Sequence, residues 1–186
     1  MPAQVAEQIS LMTEIPYIWS PRSRLALALS GALVVVIMLE ALPALREMIQ
    51  PLQEFTAALA FVVVKATGLP VAIDNVLLTH PDGFRIAISY GCTPIVPAIF
   101  LGSVLTLGLS LSWGKRLIGL ISGIVLLTLL NLFRVTALYY IGVVAPGTFA
   151  IAHEWLGQSI IVIGTAVVAW YWIDTSVRSQ RCLSTP

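Results

Sequence analysis

Between Pro94 and Ile173 the chain carries only four charged side chains: Lys115, Arg116, Arg134 and Glu154. A stretch so long and so apolar belongs in a bilayer, where helices and closed barrels are the structures that satisfy their own backbone polar groups. It divides at Trp113-Gly114-Lys115-Arg116 and again at Gly142 to Ala150, where Pro146 and Gly147 interrupt it. The divisions predict spans over Pro94 to Ser112, Leu117 to Ile141 and about Ile151 to Ile173, each near the ~20 residues a crossing helix needs. An earlier run from Leu25 to Leu42, broken by Pro43, makes another. With 58% hydrophobic and 10% charged residues, against about 25% charged in soluble domains, the expected fold is an all-α polytopic membrane protein with about four transmembrane helices.

The remaining segments read differently. Residues 1–24 are a polar, proline-containing cytoplasmic arm, and no small-residue cleavage site follows the first span, which is therefore a retained signal-anchor. Residues 25–174 form the membrane-embedded domain and 175–186 a cytoplasmic tail. Gln50 to Gly68 holds an uninterrupted apolar run only from Phe55 to Val64, between Glu54 and Lys65. A run that short predicts an interfacial or re-entrant helix. From Leu69 to Tyr90 the period changes to two around a His80-Pro81-Asp82-Gly83 turn, which predicts a small outer β-hairpin with His80 exposed. Lys and Arg set the orientation. With the amino terminus inside, Arg22, Arg24, Lys115, Arg116, Arg178 and Arg181 are cytoplasmic, and Arg46, Lys65 and Arg85 lie outside.

Under this topology Cys92, Arg134 and His153 fall at the outer end of three successive spans. Ionisable residues inside a membrane mark function by default. Cys92 opens its span, where a helix amino terminus favours a thiolate. Arg134 lies about seven residues, roughly 10 Å, before the end of its span. His153 begins the last one. Gly123, Leu127, Asn131, Arg134 and Leu138 share one helix side, as do His153, Gly157, Ile160 and Gly164, and glycines on such sides mark close helix contact. Asn131, one turn before Arg134, is placed to hold the guanidinium. The chemistry expected of the trio is acyl transfer: Cys92 attacks a peptide carbonyl, Arg134 steadies the oxyanion, and His153 moves the protons. Glu154 faces away, toward solvent or headgroups.

Other classes fail on residue types. Cys-x-x-Cys, His-Glu-x-x-His, Gly-x-Ser-x-Gly and phosphate-loop patterns are missing, and two histidines with one outer cysteine make no metal site. No cofactor is expected. No basic stripe with interleaved aromatics points to nucleic acid. Cys92 and Cys182 fall on opposite sides of the membrane and cannot pair within one chain, and Cys182, in a polar tail, reads as an ordinary thiol.

Tyr90-Gly91-Cys92-Thr93, Asn131-Leu132-Phe133-Arg134-Val135 and His153 with Gly157 resemble the three signature blocks of the exosortase and archaeosortase family. The resemblance covers roughly Gln50 to Trp172. It implies a multi-span cysteine transpeptidase or protease of the bacterial cytoplasmic (inner) membrane, with its active site facing the periplasm or exterior. It further implies membrane-anchored protein substrates, cut at a carboxy-terminal sorting tail of short motif, transmembrane helix and basic cluster. Cys92 would then be nucleophile, Arg134 transition-state stabiliser and His153 the acid/base residue. Where the family often has Cys-Ser-Gly, this chain has Cys92-Thr93-Pro94, and many members have about eight spans, so a short divergent member is implied. The acceptor and the substrate motif are not legible. The residues alone also permit a non-catalytic membrane assembly or binding subunit in which Arg134 contacts an acidic group of a partner.

Overall fold

A computed structural model describes residues 20–108 and 111–184. Most of the 1–24 arm therefore lies outside the described residues. Helix α1 (Pro21–Ala41) starts where Ser20 caps it, the Ser20 hydroxyl accepting from the Ser23 amide at 3.2 Å. Pro21 in the first turn suits a helix start. Pro43 forces Leu42 into an extended conformation and ends the helix. A short α2 (Pro43–Glu47) leads to α3 (Gln50–Ala66), which stops before Gly68, at φ +85°.

Three strands follow, β1 (Ala72–Asp74), β2 (Leu77–Thr79) and β3 (Arg85–Ala87), paired antiparallel in the order β1-β2-β3. The expected hairpin is β2–β3, joined at His80 to Gly83, with Gly83 at φ +95°. The additional strand arises because Asn75 takes the left-handed conformation (φ 52°) and folds β1 back on β2. Asparagine tolerates that conformation, so Asp74-Asn75 was a turn signal in its own right.

Helix α4 (Ile95–Ser103) continues as a π turn from Val104 to Gly108. Helix α5 (Trp113–Val144) is 32 residues long, roughly 48 Å. Its first turn takes in Trp113 to Arg116, the expected joint. After a 3-10 turn at Pro146–Thr148, the short α6 (Phe149–Ile151), a π turn (Ala152–Gly157) and α7 (Gln158–Ser184) form a continuous helical rod. It extends into the stretch expected to be a tail.

Three helices are long and apolar enough to cross a membrane: Arg22–Ala41, Trp113–Val144 and Pro146–Thr175. The remaining expected span is the shorter Ile95–Leu107, roughly 20 Å, less than the ~30 Å hydrocarbon thickness. Pro94 stands as its N-cap and delays its start.

Close contacts fix the register. A Cβ on Gly119 would lie 3.0 Å from the Trp172 ring, one on Gly123 would collide with Leu101, one on Gly164 with Leu130, and one on Gly157 would sit 2.8 Å from Arg134 Nε. Thus α5 runs antiparallel to both α4 and α7. Ala28 and Ala32, fully buried one turn apart, seat α1 against α4 and its π turn. Leu25, Leu101, Leu111, Leu127, Val168 and Trp172 cluster at one end. Arg22, Arg24, Lys115, Arg116 and Arg178 lie beside that end. Ala57, Ala60 and Val64 of α3 pack with Leu78, Ile86, Ile88, Cys92, Val135 and Tyr139 at the other.

Helix α3 packs against the sheet, the Cys92 turn and α5, its Ala57, Ala60 and Val64 lying in this second cluster. Single cysteines placed at Gln50 and Thr67 in a Cys182→Ser background should both react with a membrane-impermeant thiol probe from the same side. Labelling from opposite sides would show that α3 crosses the bilayer.

Candidate active site

Residues 88–94 form no α-helix, and their backbone groups find hydrogen bonds elsewhere. A 3-10 turn, Tyr90–Cys92, supplies part of them: the Cys92 amide donates to the Ser89 carbonyl at 2.9 Å, and the Thr93 amide to that of Tyr90 at 3.0 Å. The Thr93 hydroxyl donates to the same Tyr90 carbonyl at 2.6 Å. Cys92 ends this turn, 3% exposed and a free thiol. It does not open α4, because Pro94 caps that helix and Ile95 begins it. The stabilisation of an anion by a helix end, which fades within a turn, is therefore weaker at Cys92 than expected.

Helix α5 supplies the other hydrogen bonds. The Asn131 amide (1% exposed) donates from Nδ2 to the Cys92 carbonyl at 2.7 Å, and Arg134 (4% exposed) donates from Nη1 to the Gly91 carbonyl at 3.3 Å. Residues three apart share a helix face, so the pair meets two consecutive carbonyls of one turn. Asn131 was expected to hold the guanidinium; its partner is instead the backbone of Cys92. Arg134 Nε is buried with no hydrogen-bond partner, and no acidic side chain pairs with Arg134 among the described residues. The rod α6–α7 passes this nitrogen at Gly157, where only a hydrogen fits.

His153 lies in the π turn four residues before Gly157, half-buried, its ring 5.8 Å from that of Phe149 and tilted by 32°. π turns recur at functional sites. Among the described residues His153 makes no hydrogen bond to Cys92 or Arg134. The structure thus joins Cys92, Asn131 and Arg134 directly, and brings His153 to the same end through Gly157.

The family model of transmembrane exosortases matches residues 10–172. The chain belongs to that family. No curated protein and no solved structure matches it. The family match places this chain among membrane transpeptidases or proteases that act in protein sorting. It also takes in α1, beyond the Gln50-to-Trp172 extent of the signature resemblance.

In this exosortase the sheet reaches the histidine through rings that sequence reasoning passed over. Phe84 meets Phe149 at 5.3 Å and Tyr139 at 5.8 Å, both edge-on, and a Cβ on Gly142 would collide with the Phe84 ring. The Tyr139 hydroxyl donates to the Pro70 carbonyl at 2.9 Å. Gly142, on the buried side of α5, was the available signal. His80, expected to be exposed, has a side chain only 7% exposed. Its Nδ1 accepts from the Asp82 amide at 3.2 Å, and its ring centroid is 6.4 Å from that of Tyr139. Glu154 is exposed, and the Cys182 side chain lies outside the described residues.

Removing the Asn131 amide strands the buried Cys92 carbonyl. Asn131→Leu should lower unfolding stability by about 1–3 kcal/mol, measured by thermal or denaturant unfolding in detergent. An unchanged transition would show that the carbonyl finds another donor.

Proposed function

We propose that this chain is a cysteine-type sorting peptidase or transpeptidase that cuts the carboxy-terminal tail of membrane-anchored proteins through a thioester on Cys92. The observation that carries the reading is the buried Arg134 nitrogen, which has no partner and lies on the side chain that grips the Cys92 turn. Buried polar groups are nearly always satisfied, and a donor left free on the side chain that holds the Cys92 turn is available to a ligand oxygen. A peptide carbonyl becoming an oxyanion is such an acceptor, and charge-assisted donors are strongest in a water-poor setting.

In the reaction His153 takes the Cys92 thiol proton as the sulfur adds to the scissile carbonyl carbon, and the carbonyl electrons move to oxygen, where Arg134 stabilises them. Collapse of the intermediate expels the amine, which takes a proton from His153, and leaves the acyl group on sulfur. Water or a second amine then attacks the thioester, His153 accepts its proton, and the Cys92 sulfur leaves. His153 needs to close on the substrate during this sequence. Catalytic hydrogen bonds are commonly long before substrate binds, and its seat in a π turn supports such an adjustment.

Orientation follows from charge. The bundle end that carries Arg22, Arg24, Lys115, Arg116 and Arg178 is the cytoplasmic one by the positive-inside rule. That puts the Cys92 end at the periplasmic or outer face of a bacterial cytoplasmic membrane, where exported proteins present their tails.

Cys92→Ala and Cys92→Ser should abolish processing, followed by intact mass of co-expressed membrane proteins that end in a helix and a basic cluster. Processing that persists in both variants would overturn the enzymatic reading. It would leave Arg134 as a contact for a partner's acidic group, a role its missing counter-charge also suits. Arg134→Lys keeps the charge and loses the fork of donors, and should lower kcat by about 10²–10³. A rate within a few-fold of wild type would remove Arg134 from the oxyanion role.

A further inference from the structure

We propose that Ser89 is a positioning residue for the Cys92 sulfur, its hydroxyl donating to the thiolate; this rests on the reading of Cys92 as the nucleophile. The Ser89 carbonyl accepts from the Cys92 amide at 2.9 Å, and the same turn carries Ser89 Oγ to 3.7 Å from Cys92 Sγ, within reach of a sulfur acceptor. Among the described residues it is the only hydrogen bond the sulfur makes. Three other polar groups at this end of the bundle are directed elsewhere. The Asn131 amide is bound to the Cys92 carbonyl, Arg134 Nη1 to that of Gly91, and the His153 ring lies against Phe149.

Cys92 itself sits in a cluster with Ile88, Val135 and Leu138. Apolar surroundings disfavour a thiolate, and a donated hydrogen bond counters that. Ser89 is exposed while Cys92 is buried, so its hydroxyl stands at the boundary between the sulfur and the aqueous face. Because the turn is closed by backbone atoms, substitution at Ser89 removes the hydroxyl without removing the turn.

The test uses the full-length protein in a Cys182→Ser background and needs no substrate. Alkylation of Cys92 by iodoacetamide is timed by intact mass for Ser89 and for Ser89→Thr, Ser89→Ala and Ser89→Val. The threonine variant should react near the wild-type rate. The alanine and valine variants should be slower by about tenfold, the scale of one hydrogen bond to a charged sulfur. Threonine and valine share a shape, so their difference reports the hydroxyl alone. Equal rates in all four proteins, or a threonine variant as slow as valine, would overturn the proposal. Either result stands apart from the peptidase reading, which falls only if processing survives loss of Cys92.

Discussion

The structure turns on two hydrogen bonds from α5 to consecutive carbonyls, Asn131 to Cys92 and Arg134 to Gly91. Non-helical backbone near membrane depth persists only where protein groups satisfy it, and a thiol on a regular helix would have its carbonyl already engaged along the axis. By meeting the carbonyls from the side, α5 supports a tighter 3-10 turn, not an α-helix, at Tyr90–Cys92. The thiol can then be presented from a turn. Loss of either donor therefore acts on the shape of the turn as well as on chemistry.

Helix α4 begins directly after this turn, at Ile95, and Ala28 and Ala32 let α1 close onto it. The space toward the other end is taken by α3 and the sheet, whose apolar side chains complete the cluster around Cys92. The sheet also carries Phe84, which links Tyr139 to Phe149 and so to the ring of His153.

The periodicity of α5 was legible: Gly123, Leu127, Asn131, Arg134 and Leu138 are all buried on one side. So was the turn at His80 to Gly83, because glycine and proline report backbone geometry locally. Gly157 and Gly164 announced close packing, and both make it. The partner of Asn131 was not legible, because helical spacing says which residues share a face and nothing about what backbone that face meets. Helix α4 was overestimated because hydropathy counts apolar residues whether or not they are helical. The Phe84–Phe149 contact joins residues far apart in sequence, and no local pattern encodes it.

Arg134 gives the strongest distinction between scaffold and site. A guanidinium has five donors in a fixed fork, and burying its charge costs several kcal/mol unless partners compensate. Folding alone would favour a carboxylate or a second carbonyl beside Nε. The chain instead sets Gly157 there, so close that a Cβ would lie 2.8 Å from Nε, and the nitrogen has no hydrogen-bond partner. Asn131 makes the neighbouring contact to the Cys92 carbonyl without any charge, so a hydrogen bond to this turn does not by itself call for a charged donor. An arginine at this position adds a buried donor with no partner, as the proposed oxyanion role of Arg134 requires.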